Sequence, residues 1–411
     1  MYSLLLAIIY VAFVSLGLPD SLVGAGWPVM HRDLDVPVAF AGIITMIIAA
    51  STILSSLASE RVTLRFGAGM VTAVSVGMTA VALFGFSVSG EFWMLCLWAL
   101  PYGLGAGAVD AALNNYVALH YAARHMNWLH SFWGVGAAIS PFIMSYAITA
   151  ELGWSSAYFV VGAIQMVLAV LLLGSLPLWR RVDRAAAAAG SGSGTGDERA
   201  DAAEPEPELP KTHVPLATAL RIPGVILILV AFFCYCVAES SALVWSSTYL
   251  VAERDVAVAT AAAFGSLYLL GMTAGRFAAG FFADRIGDAW LIRGGFLTVM
   301  IAGVMIALPL ETSALALAGL VLAGLGCAPI YPAIIHSTPK NFGRRNSQAI
   351  IGIQMAAAYT GSTLAPPALG AVAAWSGMWI FPVVLAVFAG LGLLMSERLN
   401  RVVAARGARR V

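Results

Sequence analysis

The chain has 411 residues, of which 60% are hydrophobic and only 10% charged, with 22 Lys and Arg against 21 Asp and Glu. A soluble protein of this length needs far more surface charge, so an ordinary soluble multidomain architecture is excluded. A formal net charge of +1 says nothing about partners in a chain like this one, and no nucleic acid is expected among them.

In chain order the sequence reads as twelve apolar runs, six filling Ser3–Leu178 and six filling Val225–Leu394. Each is about 18 to 28 residues long, the length a helix needs to cross a hydrocarbon core roughly 30 Å thick. The predicted architecture is therefore an all-α integral membrane protein, with two pseudo-symmetric six-helix bundles at 1–179 and 222–397. A flexible linker at 180–221 joins them, and a basic tail at 398–411 follows. The first run is too long for a signal-peptide core and lacks a basic start, so it reads as the first span. On it Gly17, Asp20, Gly24 and Trp27 recur at helical spacing, placing an acid and an indole on a small-residue face. After span two comes Glu60-Arg61-x-x-x-Arg65-Phe66-Gly67. Span four carries Gly103-x-x-x-Gly107, a spacing that lets backbones approach, and then Asp110-Ala-Ala-Leu-Asn114-Asn115-Tyr116. On span five Asn127, His130 and Gly134 share a face, with Trp133 about a third of a turn away.

The linker is basic at Arg180–Arg184, then alanine- and glycine/serine-rich, then acidic with prolines, a composition unable to bury a core. Span seven carries Glu239 and, off its face, Trp245. Span eight runs through Gly271-x-x-x-Gly275-Arg276 to Asp284-Arg285-x-Gly287. Tyr331 in span ten and Gln354 in span eleven are candidates to close a pocket from the second half. The four cysteines fall inside apolar runs at no metal-ligand spacing and read as core residues. No cofactor or metal is expected.

Counting loops alternately, every Lys and Arg except Arg32, Arg254 and Arg276 falls on the side that holds the termini and linker. Positive loops stay inside, which predicts cytoplasmic termini in a multi-pass protein of the cell membrane. The basic tail satisfies the same rule or touches anionic lipid.

Three carboxylates lie where they are expensive: Asp20, Asp110 and Glu239. An ionised acid near the midplane costs several kcal/mol, so it faces a cavity, pairs or stays protonated. Each is a candidate proton carrier; the alternative is an acid that fixes helix packing, and for Glu239 the two readings weigh equally. Asn114, four residues from Asp110, shares its helix face, and an acid beside amides can grip hydroxyls within an apolar wall. For Trp27, Trp133 and Trp245, stacking on a sugar ring competes with plain core filling. For Asn127 and His130, near the inner end of their span, a gating role competes with substrate contact.

The acid–Arg pairs at Glu60-Arg61 and Asp284-Arg285, each followed by Gly, form an internal repeat that resembles the loop signature of the major facilitator superfamily. The Asp110–Tyr116 segment resembles the span-four motif Glu-Thr-Ala-Ala-Asn-Pro-Tyr of the fucose–proton symporter family within it, with Asp in place of Glu and Asn115 in place of Pro. Gly17-Leu18-Pro19-Asp20, Asn127–Gly136, the Glu239–Leu250 stretch and Pro329-Ile330-Tyr331-Pro332 resemble further spans of that family. The resemblance implies alternating access by two rocking bundles and proton-driven uptake of a sugar-like solute. It implies proton coupling at Asp20, and as costly intramembrane acids Asp110 and Glu239 are candidates for the same role. Substrate contacts are expected from Trp27, Asn114, Asn115, Asn127, His130, Trp133, Trp245, Tyr331 and Gln354. A cytoplasmic gate is expected at Glu60, Arg61, Arg276, Asp284 and Arg285. The partners are then the solute, protons and the bilayer, with the protein a monomer. A proton-coupled drug or metabolite antiporter is the nearest rival, and a non-transporting receptor or scaffold on the same fold stands behind it. An intramembrane enzyme is disfavoured: His120, His125 and His130 scatter around the helix, and no nucleophile or metal motif is present.

Overall fold

The structure, a computed structural model, describes residues 2–191, 213–310 and 313–408. Among these residues it is built from helices and contains no strand. With no water in a bilayer core, the backbone must satisfy its own hydrogen bonds, and helices do so within each segment. Among the described residues, eleven helical segments are long and apolar enough to cross a membrane. The remaining predicted span, α14 (Arg344–Ser376), is 33 residues long. It carries Gln348, Gln354, Pro366 and Pro367, and so falls short on apolarity rather than on length.

The first span is two helices, α1 (Tyr2–Gly17) and α2 (Leu22–Asp33), separated by an unwound turn. Pro19 has no N–H for the ladder and breaks it there, which sets Asp20 in the turn. A 3₁₀ turn, Val38–Phe40, leads to α3 (Ala41–Phe66), then α4 (Ala68–Ser87), α5 (Phe92–His120), α6 (Ala123–Thr149) and α7 (Trp154–Ser191). Helix α7 thus continues through the first residues assigned to the linker. Residues 192–212, half of the expected linker, lie outside the described residues, as do 409–411 of the tail. The short α8 (Leu216–Arg221) precedes α9 (Val225–Arg254), α10 (Val258–Ile286) and α11 (Asp288–Ala307). Span ten is again broken, into α12 (Ala314–Cys327) and α13 (Ile330–Phe342), with Pro329 at the joint. Helix α15 (Ile380–Ala408) closes the chain, and its helix continues past 398 into the expected tail.

The two halves pack by the same scheme. In the first, α3 lies on α5, α4 on α5 and α7, and α1 on α6. In the second, α10 lies on α12, α11 on α12 and α15, and α9 on α14. The turns after α3 and α10 also match: Gly67 has φ 81° and ψ 154°, and Gly287 has φ 81° and ψ 151°. Only glycine takes that conformation without strain, so the repeated Gly after each acid–Arg pair has a backbone reason. The Gly103/Gly107 stripe lies flat on α3, where an added Cβ would meet Ile48 O at 2.3 Å and Thr52 O at 2.2 Å.

Between the halves, α3 packs on α14 and α6 on α10. Among the described residues, the polar contacts across this interface run from mid-depth to the side that holds the linker. Arg124 N–H donates to Asp284 Oδ1 at 3.1 Å, and Ser347 Oγ donates to Asn115 Oδ1 at 2.7 Å. Arg344 donates to Leu119 O at 3.2 Å, and Trp128 Nε1 to Phe277 O at 3.2 Å. The linker side is closed.

Candidate functional site

Between the halves lies a cavity of about 390 Å³, walled by α1, α2, α3, α5 and α6 on one side and α9, α10, α13 and α14 on the other. Phe13, Leu16, Val23 and Ile48 make one wall apolar, and Leu243, Leu269 and Met272 do the same for the other. Its polar equipment converges from both halves.

Asp20, in the unwound turn, faces the cavity. Tyr102 Oη donates to its Oδ1 at 3.0 Å and Trp133 Nε1 to its Oδ2 at 2.9 Å. Asp110 sits deeper, at 8% exposure, on the small-residue face of α5. Its Oδ1 accepts from Asn114 Nδ2 at 2.8 Å, and its Oδ2 accepts from Tyr359 Oη of the opposite half at 2.7 Å. Asn114 Oδ1 in turn pairs with His130 Nε2 at 3.0 Å, which fixes that nitrogen as the protonated one. The His130 ring stands edge-on to Tyr331, with centroids 4.5 Å apart. On the opposite wall, Glu239 Oε1 accepts from Tyr235 Oη at 2.6 Å and from Arg276 Nη2 at 2.8 Å, an ion pair between a half-buried acid and a buried arginine. An unpaired ionised group would be costly in such a place, and here each acid has two donors.

Of the residues picked out by sequence, Asp20, Asp110, Glu239, His130, Trp133 and Tyr331 line this cavity. Asn114 stands directly behind it, holding Asp110 and His130. The others are placed elsewhere. Trp27 is buried and gives its N–H to Val38 O at 2.7 Å, while Trp245 gives its own to Pro366 O at 2.9 Å. Asn115 joins the halves through Ser347, Asn127 bonds Ala123 O within its helix, and buried Gln354 accepts from Thr338. None of these five lines the cavity. Indole N–H groups seek a partner when buried, so a backbone carbonyl can turn a tryptophan away from a pocket.

Arg276, expected at the gate, is in the cavity wall, because it lies two to three turns before the end of α10. The other residues expected at a gate are at the closed side. Asp284 faces Arg124, with Oδ2 to Nε at 3.4 Å, while Arg285 is exposed. Glu60 and Arg61 hold the far end of the linker. Glu60 accepts from the His213 ring and from Val214 N–H, the latter at 3.0 Å, and Arg61 Nε donates to His213 Nε2 at 3.1 Å. The tyrosines that complete the site, Tyr102, Tyr235 and Tyr359, were not singled out by sequence reasoning. The one signal for Tyr235 was its position four residues before Glu239, on the same helix face. Among the described residues no group of three His, Cys, Asp or Glu could hold a metal ion.

The chain is 24% identical over 386 residues to an uncharacterized transporter of Sinorhizobium fredii, covering 91% of this chain and 92% of that one. Among solved structures it is similar to FucP, the E. coli fucose:proton symporter, in its outward conformation. The TM-score there is 0.74 at 15% identity, over 96% of this chain and 98% of FucP. It is also similar to the proton:xylose symporter XylE, with TM-score 0.71 at 11% identity, over 97% and 95% of the two chains. These likenesses establish the fold, and the profile of the Major Facilitator Superfamily matches residues 9–265 and 228–406, so that each half is recognised and the chain belongs to that superfamily of transporters.

Proposed function

We propose that this transporter is a proton-coupled symporter that takes up a sugar or similar small polar solute across the cell membrane by alternating access. The observation that carries the reading is the pair Asp20 and Asp110 on one cavity wall, each bonded at both oxygens, with Asp110 tied to Tyr359 of the other half. With the termini cytoplasmic, as the distribution of Lys and Arg predicts, the closed side is cytoplasmic and the cavity opens outward.

A proton arriving from outside neutralises an acid whose charge would otherwise be carried through a low-dielectric interior. For Asp110 this weakens the charge-assisted bond from Tyr359, so protonation bears on the contact between the halves. Solute hydroxyls meet His130, the Tyr331 ring and the acids, and the loaded carrier reorients. A proton moving down roughly 150 mV of combined driving force releases about 3.5 kcal/mol, enough for a few-hundred-fold accumulation. The names of the structural neighbours support the reading, since two of them are sugar:proton symporters. The apolar walls lend weight to a second reading, efflux of an apolar drug in exchange for protons.

The test is transport in proteoliposomes with the Asp110→Asn variant. Solute exchange at equal concentrations should persist while accumulation driven by a pH gradient is lost, because the amide mimics the protonated acid. Gradient-driven uptake at the wild-type rate would make Asp110 structural. Efflux of a dye with no uptake of any sugar would favour the antiporter.

A further inference from the structure

At the closed linker side, one histidine is bonded differently from its neighbours. His336, on α13 of the second half, places Nδ1 2.8 Å from Asp288 Oδ2 and Nε2 3.3 Å from the backbone oxygen of Tyr121. A carboxylate and a carbonyl both accept, and a neutral imidazole has one N–H to give. Meeting both partners takes one proton more, held on the ring as imidazolium or shared with the carboxylate. His125 and His213, on the same side, show the contrast. Each receives a bond at Nε2 from an arginine, His125 from Arg124 at 3.3 Å and His213 from Arg61 at 3.1 Å. Those nitrogens keep their lone pairs, and an added proton there would face a cation.

Water does little to satisfy the His336 pair, since the side chains of His336 and Asp288 are only 21% and 14% exposed. Asp288 Oδ1 is buried with no donor, so His336 is the one group among the described residues that bonds this carboxylate. Asp284, at the end of α10, adds a second acid facing the ring. The other charged groups at this end of the packed helices are placed elsewhere. Arg124 of α6 pairs with Asp284, Arg344 of α14 donates to Leu119 O, and Arg293 of α11 pairs with Glu397. On α5, His120 Nδ1 meets Tyr116 O, and on α13 itself Lys340 is exposed. Helix α9 enters this end with an apolar run, 225–233, and α12 stops short of it at Cys327.

Asp288 belongs to the same half as His336, whereas Tyr121 lies in the turn between α5 and α6 of the other half. Opening the linker side therefore keeps Asp288 beside the ring and takes the Tyr121 oxygen away. The proton is bonded on both edges of the ring only while that side is shut. A ligand that interacts better with one of two forms shifts the population toward it, and a proton obeys the same rule.

We propose that His336 and Asp288 form a proton-binding latch that holds the linker side shut, loaded from that side and separate from the cavity acids. As pH there falls the latch loads and closure is favoured. As pH rises the proton leaves, a ring lone pair faces the Tyr121 oxygen, and that contribution to closure is lost. On the uptake reading above, the latch is a brake: protons carried inward load it and keep the cavity turned outward. The latch itself requires no particular solute.

The experiment uses the full-length protein in detergent, with nitroxide labels on Arg65→Cys and Arg398→Cys, exposed positions toward the linker-side ends of α3 and α15. The four native cysteines are removed, and Asp20→Asn with Asp110→Asn keeps the cavity acids from titrating. Pulsed EPR distances give the fraction of molecules open on the linker side at about pH 5.5 and about pH 8.5, on either side of an ordinary histidine's titration. That fraction should rise by about fivefold from the acid to the alkaline sample, the worth of one charge-assisted bond lost. In Asp288→Asn the amide can donate to Nδ1 and leave Nε2–H for Tyr121, so the neutral ring is satisfied and the side should stay shut at both pH values. His336→Gln has nothing to titrate and should show no pH step. Should His336→Gln fail to fold, the isosteric Asp288→Asn carries the test. An open fraction that does not change with pH in the parent would overturn the assignment, as would a fall with rising pH or an equal rise in either variant. Gradient-driven uptake tests the symport reading separately, so the two can fail independently.

Discussion

Gly352 on α14 tests how the linker side stays shut. A Cβ there would meet Ser56 O of α3 at 2.5 Å and Ser59 Oγ at 3.1 Å, both across the interface between halves. The first obstacle is a backbone carbonyl in a helix, which cannot swing aside as a side chain can. Overpacking of this kind costs about 1–3 kcal/mol, and here it is borne only while the two halves touch. The gain in helix propensity from Gly to Ala applies equally with the side open or closed, so it cancels. Gly352→Ala should therefore favour the linker-side-open form by about 5- to 150-fold, the exponential of that energy over RT. The reporter is a cysteine at Ser131, buried on α6 beside Thr273 of the opposite half, in a background lacking the four native cysteines. Its rate of labelling by an impermeant maleimide from the linker side should rise by a factor within that range. Gly294→Ala is the control, since a Cβ there meets nothing within 4 Å, and its rate should not change. Equal labelling in Gly352→Ala and Gly294→Ala, with both proteins folded, would show that the α3–α14 contact does not hold the side closed.

The same reporter ranks the polar contacts of the closed side. Asp284→Ala should raise labelling by no more than about fivefold, since its pair with Arg124 is 51% and 36% exposed and such pairs are worth about 0.2–1 kcal/mol. Ser347→Ala should do more, because it strands the buried Asn115 Oδ1 at a cost of about 1–3 kcal/mol; a smaller effect than that of Asp284→Ala would reverse this ranking. Asn114→Leu should abolish binding of polar solutes, as it unpairs both Asp110 Oδ1 and His130 Nε2, with melting in detergent as the check that the carrier still folds. Intact sugar binding in that variant would remove the Asp110–Asn114–His130 chain from recognition. In Glu60→Ala, the Val214 amide loses its acceptor, and its hydrogen exchange should accelerate by about tenfold or more; an unchanged rate would mean that the linker end is held by apolar packing alone.

The fold was readable because a bilayer imposes a length and a composition on every span, and that constraint is written locally. Spans one and ten were read as continuous and are broken at Pro19 and Pro329. The proline signals were present, but a proline in a transmembrane helix can kink it or end it, and neighbouring helices decide which. The repeated acid–Arg–Gly loops carried more than charge, since Gly67 and Gly287 adopt the same left-handed conformation.

The site divides along a physical line. Carboxylates could be found from sequence because desolvating a charge is so costly that each one demands a cavity or a partner, wherever it falls. Tryptophan, asparagine and glutamine carry no such demand, since a backbone carbonyl or a hydroxyl satisfies them, as Val38 O does for Trp27 and Thr338 for Gln354. Those residues were sorted only by tertiary packing. The tyrosines were invisible for the converse reason. A phenol reads as core in an apolar run, yet Tyr102, Tyr235 and Tyr359 each spend their O–H on a cavity acid. Every one of those bonds follows from the acid's need, so a buried carboxylate points to whichever phenols the fold can bring to it. Arg276 marks the limit of charge counting. Its sequence neighbours suggested a gate, whereas its depth in α10 placed it opposite Asp20 and Asp110, bonded to Glu239 and Tyr235.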